Sequence, residues 1–127
     1  MILLDTAVFL WIITGSKRFS RNAEKKYLDK KNEVYLSSVS VWEIIVKYNL
    51  SRLPLPSPPK TYIPKQRFIH GIEALSFDEE DALELDSLPH IHSDPFDRML
   101  VCQARVKNLI LLTPDKFIRK YPVKTSW

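Results

Sequence analysis

The sequence predicts a single α/β domain in which helices cover both faces of a mostly parallel sheet. Short apolar runs alternate with longer amphipathic stretches along the chain, as in strands joined by crossover helices. The chain has 127 residues, of which 45% are hydrophobic, so one domain has enough apolar material for a core. We therefore expect residues 1–127 to form one domain without internal repeats.

The chain is expected to begin with a strand and a helix. Ile2-Leu3-Leu4 reads as a buried strand that ends at Asp5. Thr6–Thr14 has the apolar content of a packed helix, and Gly15 is a suitable C-terminal cap.

A polar helix and a second strand follow. Ser20 can cap a helix that runs to about Lys31, and Glu33–Leu36 is the next strand. The inner stripe of the polar helix should consist of Ala23, Tyr27 and Leu28.

The middle of the chain predicts a helix, a stiff loop and a short helix. Ser37 or Ser38 caps the first of these helices, which runs to about Leu50. Four prolines between positions 54 and 59 exclude regular structure there. A short helix around Tyr62–His70 follows, interrupted by Pro64. The apolar face of the first helix should be Trp42, Ile45, Val46 and Leu50.

Ile72–Leu75 is the third predicted strand. Ser76 and Glu79 have the spacing of a capping box, which predicts a helix to about Leu88.

The last third contains the clearest elements. A helix should begin at Pro95 and end at Lys107, with Asn108 as its stop. Leu109–Leu112 is a strand, Pro114-Asp115 begins a short helix, and Val123 lies in a candidate edge strand.

Charge is distributed unevenly. The segment from Phe68 to Asp97 has nine acids and no Lys or Arg, so the other residues carry all 19 Lys and Arg against six acids. A largely basic body favours an anionic partner such as nucleic acid, although ordinary solvated faces explain each single cluster as well.

Cysteine content and hydropathy favour a soluble, cytoplasmic protein. Cys102 lies in an apolar helical pattern and should be a small buried hydrophobe, and a single cysteine fits a reducing compartment. The longest apolar run, Ala7–Ile13, is far shorter than the ~20 residues that span a bilayer. Asp5 and the absence of a preceding cation argue against a signal peptide.

Five carboxylates from four remote segments are predicted to meet at one edge of the sheet, beyond the carboxyl ends of its strands. Their repulsion in a partly dry site would cost several kcal/mol without a cation. Oxygen ligands without a Cys or His cluster favour Mg²⁺ or Mn²⁺ over zinc. The five are Asp5, Glu43, Asp94, Asp97 and Asp115.

Asp97 is the acid that local structure explains least. Asp94 can cap the helix or pair with Arg98. Asp97 has only Leu100 and Val101 three and four residues later, so no helical ion pair accounts for it.

The other acids also have structural alternatives. Asp5 could end its strand in an Asx-turn, and Asp115 could cap its helix. Glu43 could pair with Lys47, a contact worth only ~0.2–0.5 kcal/mol.

His90 and His92 form an H-x-H pair beside these acids. No third soft ligand is evident, so we expect them to position the loop or contact a phosphate.

Four segments, in this order, resemble the PIN-domain family, and most closely the toxins of VapBC type II toxin–antitoxin pairs. They span nearly the whole chain, and the D-P-F-D-R run together with W-E is the most specific part. The segments are Leu3-Leu4-Asp5-Thr6, Ser37 through Trp42-Glu43-Ile44, His92-Ser93-Asp94-Pro95-Phe96-Asp97-Arg98, and Leu111-Leu112-Thr113-Pro114-Asp115.

The resemblance implies a three-layer α/β/α fold and a Mg²⁺- or Mn²⁺-dependent ribonuclease whose products carry a 5′-phosphate and a 3′-hydroxyl. It also implies a homodimer and inhibition by a cognate VapB-like antitoxin. Ser93 and Ile91 stand where relatives often have Arg and His, which bears on substrate contacts. By the same resemblance, Asp5, Glu43, Asp94 and Asp97 match the acidic quartet, Asp115 a further acid, and Thr6 and Thr113 hydroxyls near the metal.

The expected function is thus metal-activated hydrolysis of RNA, with single-stranded or loop RNA as substrate. Arg98 and other basic residues are expected to steady the RNA backbone. The alternative is a non-catalytic PIN-like module that binds RNA or protein; a phosphatase is weaker, since no Gly-rich phosphate loop is present. An antitoxin groove could use Phe9, Trp11, Trp42 and Tyr48, although core packing also explains such residues.

Overall fold

The structure, a computed structural model, describes residues 1–127. Its strands are β1 (Ile2–Leu4), β2 (Val34–Ser37), β3 (Glu73–Leu75), β4 (Ile110–Leu112) and β5 (Thr125–Ser126). Its helices are α1 (Thr6–Thr14), α2 (Arg21–Leu28), α3 (Ser38–Asn49), α4 (Pro59–Ile69), α5 (Glu79–Leu83) and α6 (Pro95–Lys107). Short 3₁₀ turns lie at Glu84–Ser87 and Ile118–Lys120.

All five strands are parallel, and their order across the sheet is β3-β2-β1-β4-β5. The predicted parallel sheet is therefore confirmed. Because β1 is central and fully buried, its side chains alternate between two cores. Leu4 belongs to the core under α1, α3 and α4, whereas Leu3 belongs to the core under α6. These two cores give the three layers.

Several predicted helix ends are confirmed by their caps. Gly15, at a φ of 66°, ends α1, and the Ser20 side chain accepts a hydrogen bond from the Ala23 amide. Asp94 caps α6, and Asn108 ends it in the left-handed conformation. Local capping chemistry decides these boundaries, so the sequence was sufficient to place them.

The predicted polar helix is shorter than expected. α2 ends at Leu28, and the Asp29 carboxylate accepts a hydrogen bond from the Lys31 amide in the turn that follows. Leu28 is 63% exposed and is not part of the inner stripe.

The predicted apolar face of α3 is wrong. Trp42 and Leu50 are exposed, at 67% and 57%, and the helix instead buries Val39, Ser40, Glu43 and Ile44. The helix is rotated so that Ile44 enters the core while Glu43, a carboxylate, faces inward. Hydrophobic periodicity could not anticipate a buried acid.

The fourth and fifth helices also differ from prediction. Pro59 is already the first residue of α4, because the first turn of a helix does not need the proline N–H. The same helix continues through Pro64 without interruption. The capping box of α5 is Asp78 with Asp81, not Ser76 with Glu79, and α5 gives way to a 3₁₀ turn after Leu83.

The C-terminal elements differ from prediction, whereas Cys102 agrees with it. The segment after Asp115 forms only a 3₁₀ turn, and the edge strand is β5 rather than a strand at Val123. Cys102 is buried, as predicted. None of the helices is both long and apolar enough to cross a membrane.

Candidate active site

The candidate site begins where two neighbouring parallel strands end. β1 is followed by Asp5 and β4 by Thr113, at the position where the strand order reverses direction. The Thr113 hydroxyl donates to Asp5 Oδ2 over 2.6 Å, and both residues are buried. A crevice at this position of a parallel sheet is the usual place for a ligand.

All five predicted acids line one cleft of about 410 Å³ at this edge. Two cationic side chains, Lys47 and Arg52, line it as well. More apolar depressions elsewhere on the surface do not contain these acids. The predicted convergence is therefore observed: the cleft contains Asp5, Glu43, Asp94, Asp97 and Asp115, with Thr6 beside them.

Glu43 enters the cleft from α3 and is nearly buried. Its Oε2 accepts from Lys47 Nζ over 2.6 Å, which is the i,i+4 pair that the sequence allowed. Its Oε1 is buried and has no hydrogen-bond partner. A buried oxygen without a partner is costly, so Glu43 is incompletely satisfied by the protein.

Asp94 and Asp97 enter from the first turn of α6. Asp94 Oδ1 accepts from the Asp97 amide over 3.0 Å and thus keeps the helix-cap role. Asp97 Oδ2 lies 3.1 Å from His92 Nε2, a partner that the spacing along α6 did not reveal. Burial, and then the charges of Asp94, Asp5 and Asp115, outweigh this hydrogen bond and raise the pKa of Asp97 to about 7.

Asp5 is perturbed in the same direction. Burial raises its pKa, the Thr113 hydrogen bond opposes the change, and the charges of Asp115 and Glu43 add to it. In both Asp5 and Asp97, burial first and the charges of neighbouring acids second disfavour the ionised carboxylate.

Asp115 has the structural role that the sequence also allowed. Its Oδ1 accepts from the amides of Phe117 and Ile118, at 2.8 and 3.0 Å, and so caps the following turn. Its own amide donates to Thr113 Oγ1, which links the turn to Asp5.

Thr6 contributes through packing between helices. Its hydroxyl donates to Ser40 Oγ over 2.8 Å, which ties the start of α1 to α3. This contact lies one turn before Glu43 and helps to set its position.

Arg98 lies outside the acidic cleft. Its guanidinium donates to the carbonyls of Pro89 and His92 and, over 3.0 Å, to the Tyr121 hydroxyl. His92 is held against the same tyrosine, with Nδ1 2.8 Å from the hydroxyl, and its ring stacks on Phe117. Arg98 therefore supports the loop that carries His92, and its expected contact with the RNA backbone stays a prediction. The bond from His92 to Tyr121 fixes the loop before α6, which is the first of the two roles expected for this histidine.

The donor set fits a hard divalent cation. Every candidate ligand is a carboxylate, Glu43 Oε1 has no partner, and the pKa values of Asp5 and Asp97 are raised. The carboxylates share the cleft, but as their side chains stand no three of them are placed to hold one metal ion together. Oxygen-only ligands suit Mg²⁺ or Mn²⁺ and not zinc.

Sequence and structure comparisons agree with this architecture. A family profile described as "PIN domain" matches residues 2–124. Ribonuclease VapC16 of Mycobacterium tuberculosis is 40% identical over 50 residues, which is 39% of this chain and 36% of that protein. The aligned region thus spans about a third of the curated relative.

Two solved structures have the same fold. VapBC2 from Rickettsia felis, bound to a promoter DNA fragment, matches with a TM-score of 0.71 at 17% identity, covering 99% of this chain and 98% of that one. DNA-bound VapBC from Salmonella typhimurium matches with a TM-score of 0.70 at 20% identity, covering 98% and 96%.

Proposed function

Because this chain belongs to the PIN-domain family, we propose that it is a metal-dependent endoribonuclease and the toxin of a VapBC-like type II pair. The observation that carries this proposal is the cleft in which acids from β1, α3 and α6 converge with too few cations to balance them. A non-catalytic binding module has no need for that repulsion.

The quartet of Asp5, Glu43, Asp94 and Asp97 would hold Mg²⁺ or Mn²⁺, with Asp115 at the margin. The bound ion supplies Lewis-acid activation of a water and of the scissile phosphate. The protein supplies the arrangement of the acids. Thr113 fixes Asp5, and Thr6 fixes the α1–α3 contact. The Tyr121 hydroxyl is hydrogen-bonded to Arg98 and to His92, and the other ring nitrogen of His92 contacts the Asp97 carboxylate at the start of α6.

The substrate proposed for this cleft is single-stranded or loop RNA, whose unpaired bases leave the phosphate accessible. Lys47 and Arg52 provide positive charge at the cleft for the flanking phosphates, so binding should weaken with salt.

This function is tested by incubating the purified protein with single-stranded RNA in Mg²⁺, in Mn²⁺ and in chelator. We expect internal cleavage in both metals and none in chelator, with 5′-phosphate and 3′-hydroxyl ends. Equal cleavage in chelator would refute metal-dependent hydrolysis, and RNA binding without cleavage in any metal would favour the binding module.

A VapB-like antitoxin is the proposed protein partner, because the two similar structures are described as VapBC and contain DNA. Of the residues suggested for its groove, Phe9 is fully buried in the core, and Trp11 is partly buried and packs against that core and edge-on against Trp127. Tyr48 is partly buried, and Trp42 is exposed. A cytoplasmic location accompanies this proposal, since cellular RNA is the substrate and Cys102 is unpaired.

We propose that Trp42 instead lies in a homodimer interface. Trp42, Phe96 and Met99 line one apolar depression between α3 and α6. Basic residues of α4, Lys60 and Arg67, border Trp42 on one side. On the other side Met99 lines a second depression together with Ala82 of α5. A two-fold rotation would place Trp42, Phe96 and Met99 of one copy against the same residues of the other and bury this apolar surface.

Trp42→Glu is expected to convert the dimer into a monomer, because it buries a charge at the centre of the apolar patch. Phe68→Glu is the matched control, since Phe68 is an even more exposed aromatic residue that does not line the patch. Light scattering after size exclusion checks both. A monomeric wild type, or a dimeric Trp42→Glu variant, would refute this interface.

A further inference from the structure

Lys47 is the only lysine or arginine that bonds to an acid of the cleft. Its Nζ lies 2.6 Å from Glu43 Oε2, and the Glu43 side chain is only 7% exposed while that of Lys47 is half exposed. Arg52, the other cation of the cleft, forms no side-chain hydrogen bond or ion pair there. Both cations therefore line the cleft, but only Lys47 is bonded to one of its acids.

The pair leaves Glu43 half satisfied. Oε2 is bonded to Lys47, whereas Oε1 is buried and has no partner. An exposed i,i+4 pair would be weak, but here one partner is a nearly buried carboxylate that cannot turn to water. Glu43 is thus held by Lys47 and at the same time offers an open ligand position.

The charge of Lys47 acts on the rest of the cleft as well. Burial lowers the pKa of Lys47. The hydrogen bond and charge of Glu43, together with the charges of Asp94 and Asp97, raise the pKa by more than burial lowers it, so the net change is upward. Lysine is charged at neutral pH by its ordinary pKa, so the ammonium group 2.6 Å from Glu43 offsets part of the repulsion among the acids.

From this geometry we propose that Lys47 is a resident cation of the metal-free protein, bound to Glu43 and in competition with the divalent ion for that carboxylate. The inference deepens the proposed function and rests on it. A divalent ion bound at the open Oε1 would lie close to the ammonium group on Oε2 and repel it, so the ion and Lys47 weaken one another at Glu43. Lys47 would lower the affinity for metal and stabilise the protein when metal is absent.

The test compares the dissociation constant for Mn²⁺, measured by the electron paramagnetic resonance of free Mn²⁺, in wild type and three variants. Lys47→Gln should bind Mn²⁺ about tenfold more tightly than wild type, because one positive charge and one competing bond are removed. Arg52→Gln removes the same charge from the same cleft without freeing Glu43, so its affinity should change by less than about threefold. Lys47→Arg keeps the charge and should resemble wild type.

A second readout concerns the metal-free protein. Lys47→Gln should melt at a lower temperature than wild type in chelator, because Glu43 loses its only bonded cation, and saturating Mn²⁺ should remove the difference.

Each outcome decides the matter. If Lys47→Gln binds Mn²⁺ as wild type does, or more weakly, Lys47 does not compete, while the metal site of the proposed function still stands. If Lys47→Gln and Arg52→Gln increase the affinity for Mn²⁺ equally, the effect comes from the net charge of the cleft and not from the bond to Glu43, and the inference is overturned as well. If the wild type binds no Mn²⁺, both the inference and the proposed metal site fall.

Discussion

Asp97→Asn is expected to reduce RNA cleavage by at least about 100-fold, because loss of a direct metal ligand should exceed the 10–100-fold effect of an outer partner. The variant should remain folded, since an amide oxygen can still accept from His92 and Asp94 still caps α6. In chelator it should be more stable than the wild type by about 1–2 kcal/mol, because one charge of a repelling cluster is removed.

The gain in stability should depend on pH. Asp97 has a pKa of about 7 in the folded protein against an ordinary value of 3.8, so the folded state binds the proton more tightly. Wild-type stability attributable to this group therefore falls as pH rises from about 4 to about 7 and is constant above that. The amide in the Asp97→Asn variant does not titrate, so the advantage of the variant should open over that range and vanish below it.

Chemical unfolding at several pH values in chelator checks this expectation, and Asp86→Asn, at an exposed acid outside the cleft, is the control. An unfolded Asp97→Asn variant, or one that cleaves at the wild-type rate, would remove Asp97 from the site. A stability difference that does not change with pH would contradict the raised pKa.

Lys107→Met is expected to destabilise the protein by about 3 kcal/mol, the second largest effect. Lys107 Nζ lies 2.8 and 2.9 Å from the two carboxylate oxygens of Asp81, which is fully buried, and 3.0 Å from Asp78. These contacts join the end of α6 to the start of α5. Without Lys107, a buried carboxylate keeps only the Asp78 amide as a donor.

Urea unfolding of a double-mutant cycle measures this effect. Lys107→Met combined with Asp81→Asn should recover much of the loss, because no buried charge then remains unpaired. Lys25→Met, at an exposed site on α2, controls for loss of a surface lysine. Losses that simply add in the double variant would show that the two side chains do not act as a pair.

Sequence patterns were sufficient where a local interaction decides the outcome. Gly15, Ser20, Asp94 and Asn108 each end or begin a helix through their own backbone or side chain, and the structure has those ends. The convergence of the acids was also predictable, because parallel strands end at one edge and β1 and β4 are neighbours.

The failures involve tertiary contacts. The buried face of α3 was misplaced because Glu43, not an apolar residue, points inward toward the site, while Trp42 is left on the surface. The partner of Asp97 was missed because His92 lies in the preceding loop and is held there by Tyr121, 29 residues away. No spacing rule links those two residues. The contact between Lys47 and Glu43, by contrast, was predictable from their i,i+4 spacing. The burial of Glu43 was not predictable from that spacing.

The central claim is that Asp5, Glu43, Asp94 and Asp97 together bind one divalent ion or more. The most direct test is the change in melting temperature on adding Mg²⁺ or Mn²⁺ to metal-free wild type and Asp97→Asn. We predict a rise in the wild type that saturates with metal concentration and is absent in the variant. Equal rises in both proteins, or none in the wild type, would contradict the claim.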